Sequence, residues 1–464
     1  MDMLTRRQMI FRTGKGFSGV ALAALMSDKL QAAAAVARAK NIIYIFNHGG
    51  VSHVDTFDPK PTLARLSGEC VPASFANGLK TSRIDFRKAI MRGSPWQFPK
   101  HGQSGLEISA LYPHLSKHAD RLAVIRSCYS DAFDHAPAIF HSCTGSQFPG
   151  RPSLGAWVSY GLGSENKNLP SFVVMSDGAM KSGAGAYGAG FLPATYQGTM
   201  FRGGKSPVLD LNTPEGVTPK AQRETLDFIS DLNRGHFASR DEDSTLDARI
   251  KSYELAFRMQ AEAPGAVDIS SESEATQKLY GLDEPITADF GRKCLLARRL
   301  VERGVRCVQL FFGTNLGDDW DDAHNDLLGS HNKMAKKSDQ PIAALLTDLQ
   351  ARGLLDSTLI VWNSEFGRTP LAEGKNGRDH HPYGYSMWMA GAGIQGGRAL
   401  GATDEFGLRA VDQPKSIHDV HATVLRLMGV DHTALTWRYQ SRDMRLTDVH
   451  GEGEFTNWLL RQNG

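Results

Sequence analysis

The sequence has no C-x-x-C pair. Its five cysteines, Cys70, Cys128, Cys143, Cys294 and Cys307, are scattered, which argues against a thiolate zinc centre. No haem or iron–sulfur motif is present either. In an oxidising compartment Cys128 and Cys143 can pair, but the odd count leaves at least one thiol over, and no single bridge is assigned. Charge of one sign is missing too: 52 Lys and Arg face 50 Asp and Glu, a net of +2. No Lys/Arg stripe with interleaved aromatics breaks that balance, which argues against a nucleic-acid partner. No run in the body of the chain approaches the ~20 consecutive apolar residues of a membrane-spanning helix. There are no internal repeats, and low complexity is confined to an alanine run near the N-terminus. What remains, 41% apolar and 22% charged residues over 464 positions, suits a soluble globular chain with a packed core.

The first forty residues stand apart. Arg6 and Arg7 precede a short, moderately apolar run from Gly16 to Met26, followed by "LQAAAAVARAK". A charged start, a short apolar stretch and small residues at the end describe an export signal over 1–39. The paired arginines point to the twin-arginine route, and so to a periplasmic or otherwise exported protein. The alternative is an amphipathic N-terminal helix. Because that route carries folded proteins, it hints weakly at a metal or cofactor.

From residue 40 onward the chain alternates strand and helix. "NIIYIF" at 41–46, Leu122–Ile125, Phe172–Met175, "VQLFF" at 308–312, Thr358–Asn363 and "YSMWMAGAG" at 385–393 are continuous apolar runs. Such runs mark strands covered on both faces by helices. A helix is expected from about Pro341 to Arg352, stopped by Gly353, and another in "SIHDVHATVLRLMGVD". The predicted fold class is therefore α/β, a doubly wound and mostly parallel sheet over 40–464. Gly178 to about Asp289 breaks the rhythm with a Gly-rich stretch and charged, helix-favouring segments, and reads as a helical insertion.

In such a sheet ligands gather beyond the carboxyl ends of the strands. Four strand ends carry both carboxylates and imidazoles: "NHGGVSHVDTFDPK" with Asp55; "SDAFDHAPAIFHSCTG" with His135; "GTNLGDDWDDAHNDLLGSH" with Asp321, Asp322 and His324; and "NSEFGRTP" leading to "GRDHHP", with Glu365, Arg368, Asp379, His380 and His381. Carboxylate oxygen and imidazole nitrogen are ligands of borderline divalent ions. Taken singly, each motif also reads blandly: an acidic surface loop, a turn or cap at Asp55, a helix start at His135 with Pro137 near its first turn. Their shared placement favours a metal or active site.

Several of these stretches, "GGVSHVDTFDPKP", "TGSQFPGRPSLGAWVSYGLGSENKNLPSFVV", "LLDSTLIVWNSEFGRTP", "GRDHHP" and "RDMRLTDVHGE", resemble the domain-of-unknown-function 1501 family. These are exported bacterial proteins, abundant in planctomycetes and placed in the alkaline phosphatase-like superfamily with the sulfatases. The resemblance covers nearly the whole chain. It implies an alkaline phosphatase-like α/β fold and hydrolysis or transfer of phosphate or sulfate esters, those of a polysaccharide included. It also implies one or two divalent ions, with zinc, manganese, iron or calcium as candidates. Carried over residue by residue, it implies metal ligands at Asp55, Asp322 (or Asp321), His324, Glu365, and His380 or His381. His135 falls at the position of the usual hydroxyl or thiol nucleophile, and Phe366 replaces a usual ligand. His135 is then itself a nucleophile or a metal ligand, or catalysis is lost and the chain is a binding or scaffold protein. Arg126 and Arg368 are candidates for holding the substrate anion.

Overall fold

The computed structural model describes residues 37–460 apart from 77, 81, 87, 203–207, 209–212, 214, 239–243 and 314–317. Arg6 and Arg7, with most of the expected signal, lie outside the described residues. Among the described residues no helix is long and apolar enough to cross a membrane.

The central sheet has eight strands: β1 (Asn41–Asn47), β2 (Ala123–Cys128), β3 (Phe172–Ser176), β4 (Thr199–Phe201), β5 (Cys307–Phe312), β6 (Thr358–Ser364), β7 (Tyr385–Gly391) and β8 (Arg398–Leu400). Their order is β8-β2-β7-β6-β1-β5-β3-β4. β1 lies at its heart, parallel to both β5 and β6, with all seven residues buried. Alternation along β1 explains the continuous apolar run, since both faces are covered. Ile43 and Ile45 pack with Leu295 and Leu345 on one face. Ile42, Tyr44 and Phe46 pack with Trp157 and Val424 on the other. Each such aliphatic side chain contributes about 1.5–3 kcal/mol on burial. The first face is covered by helices α5 (Ala288–Glu302) and α6 (Leu327–Ala351), the second by α1 (His135–Thr144), α2 (Leu154–Leu162) and α7 (Ile417–Leu427). The doubly wound, mostly parallel sheet expected from the sequence is present, with one exception: β7 runs antiparallel to both β2 and β6.

Two local expectations change. Helix α6 begins at Leu327, so Pro341 sits inside the helix and not at its first turn. Buried Leu327, Met334 and Ala335 extend the apolar face upstream, and that burial outweighs the backbone hydrogen bond a proline forfeits. Gly353, at φ +68°, closes the helix as expected. The segment from Gly178 to Asp289 holds two long helices, α3 (Pro219–Ala238) and α4 (Ser244–Val267), but it also supplies edge strand β4, parallel to β3. Helix α7 opens on a capping box in which Ser416 and Asp419 satisfy each other's backbone N–H, an arrangement worth about 1 kcal/mol.

Candidate metal centre

Three structures deliver side chains to one point beyond the carboxyl ends of the parallel strands. After β2, helix α1 starts at His135 itself. After β5, a 3-10 turn spans Trp320–His324. Such a turn has three residues per revolution, so Asp321 and His324 lie on one side of it while Asp322 does not. The turn is held over β1 by the Trp320 N–H, which donates to the His48 carbonyl at 3.0 Å. Gly49 makes this approach possible: it stands at φ +108°, and a Cβ there would come within 2.4 Å of the Asp321 nitrogen. After β6 the chain forms a ribbon in which Gly367–Arg368 pairs antiparallel with His380–His381. Successive side chains of a strand point to opposite faces, so only one of the two histidines can reach the cluster. It is His380.

The convergence point is Asp321 Oδ1. His135 Nε2 lies 2.9 Å from it, His380 Nε2 3.1 Å and His324 Nε2 3.4 Å. His324 Nε2 and His380 Nε2 are only 2.9 Å apart. Each ring is held from behind through Nδ1, which faces an acceptor. His135 Nδ1 is 2.8 Å from Glu365 Oε1, His380 Nδ1 is 2.8 Å from the Phe133 carbonyl, and His324 Nδ1 meets the Glu373 carboxylate. A carbonyl or carboxylate can only accept, so Nδ1 carries the proton in each ring. In a neutral ring Nε2 is then a lone pair. Three such lone pairs converge beside a carboxylate that Arg368 and Lys181 already neutralise, and the repulsion among the ring nitrogens is relieved by protons on the rings or by a metal cation. Although it lies so close to Asp321, His135 Nε2 makes no well-aligned hydrogen bond. The donor chemistry therefore fits a metal. Within this cluster His135, Asp321 and His380 offer ligand atoms within 4.8 Å of one another, and so do His324, Asp379 and His380.

The electrostatics distinguish the rings. Burial holds the His380 ring down to about 3, so it is neutral at pH 7. Burial also resists ionisation of Glu365, but the His135 ring outweighs it and lowers the carboxyl to about 2. For His135, burial opposes protonation while Asp321 and Glu365 together raise its pKa above the ordinary value. At the partly exposed mouth, Lys181 Nζ lies 2.9 Å from Asp321 Oδ2.

The structure brings together six of the residues named from the sequence, His135, Asp321, His324, Glu365, Arg368 and His380, with Asp379 beside His380, and disperses Asp55, Asp322, His381 and Arg126. Glu365 accepts from the Gly49 N–H at 2.7 Å as well as from His135, so it orients the His135 ring. Arg368 is fully buried and donates to the carbonyls of Gly49, Gly50 and Arg378 and to Asp321 at 2.6 Å. Those commitments keep it from a substrate. Asp55 stands apart in a fully buried ion pair with Arg378, at 2.8 Å, and accepts from Ser52 at 2.5 Å. His381 turns away, with Nε2 2.9 Å from the Leu408 carbonyl. Asp322 gives place to its neighbour Asp321. Arg126 donates to the Phe57 carbonyl at 2.8 Å. Residues with no forecast role are Lys181, Glu373 and His48. His48 is completely buried beside Glu365 and Asp321, and neither of its ring nitrogens has a hydrogen-bond partner among the described residues. Its place immediately after β1 was the available signal.

Fold and site together define an α/β protein with an imidazole–carboxylate centre at its strand ends. The chain belongs to the family described as "Protein of unknown function (DUF1501)", whose model matches residues 39–454. No curated protein matches it. Similar solved structures include the lipoteichoic acid synthase LtaP from Listeria monocytogenes, 8% identical, covering 89% of this chain and 76% of that one with a TM-score of 0.38. The PsFucS1 sulfatase from Pseudoalteromonas sp. is 14% identical, with 87% and 70% covered and a TM-score of 0.37. A mutant of the TAB5 alkaline phosphatase with Mg bound is 11% identical, with 84% and 98% covered and a TM-score of 0.35. At these scores the likeness says nothing about chemistry.

Proposed function

We propose that this protein is an exported, metal-dependent hydrolase of phosphate or sulfate esters. The observation that carries the reading is the meeting of three Nδ1-anchored imidazoles on one carboxylate oxygen. His135, His324, His380 and Asp321 would hold the ion. Imidazole donors of this kind suit zinc, iron or manganese, whereas calcium prefers an all-oxygen shell. Glu365, Glu373 and the Phe133 carbonyl hold the rings in register, the role outer carboxylates and carbonyls play around metal histidines. A bound divalent ion supplies Lewis acidity and an activated water at neutral pH. Lys181, at the mouth, presents its ammonium to the anionic oxygens of an ester. His135 is assigned as a ligand and not a nucleophile: Nδ1 is committed to Glu365 and Nε2 to the cluster.

The second reading, a non-catalytic exported binding or scaffold protein, draws on the same cluster, which has no hydroxyl or thiol in the nucleophile's place. One experiment separates the two. The mature protein and Asp321→Asn are purified, analysed for bound metals, reloaded with zinc, manganese or iron, and assayed on aryl phosphate and aryl sulfate panels. Stoichiometric metal and turnover in the wild type, both lost in the variant, support the hydrolase. Metal without turnover across the panels moves the reading to the binding protein, and absence of metal after reloading removes the metal centre altogether.

A further inference from the structure

Two cavities away from the strand-end cluster meet at the far edge of the sheet. The first, about 380 Å³, lies between residues 164–172, the turn at 195–199 and helix α4; its walls carry Lys167, Lys251 and Arg258 and no carboxylate. The second, about 540 Å³, shares Gln197, Thr199 and Leu255 with the first and adds Gln222, Tyr253, Phe257 and Gln260. They form one trough along edge strand β4, cationic at one end, amide-rich and aromatic at the other. Phe172 and Thr199 are the first residues of β3 and β4, so the cationic end lies at the amino ends of the strands. The metal centre lies at the opposite, carboxyl ends, and the trough is a separate site.

Its polar groups are set in place. Arg258 Nε donates to the Lys167 carbonyl at 2.8 Å, which fixes the guanidinium beside the lysine. Neither side chain has an ion-pair partner among the described residues, and nearby Glu254 is taken by Arg223 at 2.7 and 3.0 Å. Thr213 Oγ1 lies 3.0 Å from Gln222 Oε1 and 3.4 Å from Gln260 Oε1. The single hydroxyl proton goes to the nearer oxygen, that of Gln222, and places both amides side by side on the trough wall. Tyr253 is 44% exposed.

We propose that this trough binds an acidic polysaccharide, its sulfate or carboxylate groups at the cationic end and its sugar rings along the amide and aromatic end. Lys167 and Arg258, neighbours on this wall with no ion-pair partner among the described residues, select an anion. Side-chain amides and aromatic faces match sugar hydroxyls and the apolar faces of the rings, and the combined volume suits several linked residues. A free inorganic anion would use only one end. This binding is independent of the hydrolase reading and is expected whether or not the metal centre turns over esters.

The test is calorimetric titration of the full mature protein with dextran sulfate, neutral dextran and sodium sulfate, at low and high salt. Dextran sulfate should bind and dextran should not. Lys167→Gln with Arg258→Gln should weaken dextran sulfate binding by about tenfold or more, while a control pair of exposed lysines elsewhere, Lys100→Gln with Lys375→Gln, shifts it little. Tyr253→Ala with Gln260→Ala should weaken the polymer while leaving the variant's thermal midpoint intact. No binding of dextran sulfate, equal losses in the cationic pair and its control, or sulfate binding as tightly as the polymer would each overturn the proposal.

Discussion

His380 and His381 are consecutive, both buried, and built into different machines. Around His380 the rings are gripped through Nδ1, and their Nε2 atoms converge on Asp321. Around His381 the grip is reversed. His381 Nε2 faces the Leu408 carbonyl at 2.9 Å and His53 Nε2 the Gly407 carbonyl at 2.8 Å, with the two rings stacked 6.0 Å apart. Beside them Asp55 and Arg378 neutralise each other one to one. Both regions are rich in buried imidazole and carboxylate, and both draw on "VSHVDTF" or "GRDHHP". The difference is which nitrogen is anchored and whether the remaining lone pairs share a focus. A count of buried histidines does not mark a metal site; a common focus does.

The contrast can be broken by experiment. The largest effect belongs to the structural region: Arg378→Ala strands the fully buried Asp55 carboxylate and should cost about 3–5 kcal/mol in denaturant unfolding. Material that remains folded should keep its metal; loss of metal as well would merge the two regions. Next comes the neighbouring pair. His380→Ala should lower metal affinity by more than about a hundredfold, beyond the range for outer-shell changes. His381→Ala should leave metal content unchanged and lower stability by about 1–3 kcal/mol through lost packing and the unpaired Leu408 carbonyl. The reverse pattern in metal analysis would reject the assignment. Glu365→Gln, which keeps the shape but not the charge behind His135, should weaken metal binding by about 10–100-fold, read by competition with a chelator.

A collective effect, apart from this single-residue ranking, follows from acid. Burial holds His53, His331, His381 and His421 at about 3 in the folded protein, against ~6.5 when unfolded. Between those values the unfolded chain binds more protons, so stability should rise with pH there and be lost as pH falls below about 6.5. Thermal midpoints that stay level from pH 7 to pH 4.5 would contradict these burials. The smallest effect is expected from Asp322→Asn, within about 0.5 kcal/mol and with metal content unchanged.

Much of the architecture was legible because continuous apolar runs such as "NIIYIF" have no other economical place than the middle of a covered sheet. The reversed direction of β7 was not legible: its residues are as apolar as those of the parallel strands, and direction depends on partners far away in the chain. Pro341 misled because proline at a first turn is the commoner arrangement. At the candidate site, sequence pointed to the strand ends where the imidazoles and carboxylates converge but could not choose within doublets. Asp321 over Asp322 is decided by the pitch of a single 3-10 turn, and His380 over His381 by which face of a two-residue strand looks inward. Asp55 was drawn into the ligand set because its partner, Arg378, lies 323 residues away.

The position of β1 has a consequence for how the protein is made. Near the carboxyl end of β1, Asn47 donates to the Asn363 carbonyl across 316 residues of chain. At ordinary rates of synthesis, on the order of tens of seconds separate the emergence of the central strand from that of its neighbour β6. Until β5 and then β6 have emerged, this apolar segment lacks the two strands it pairs with. Chaperone cover of 41–46 would then be a condition of productive synthesis, and the site, which needs both β1 and β6, is among the last parts of the molecule to exist.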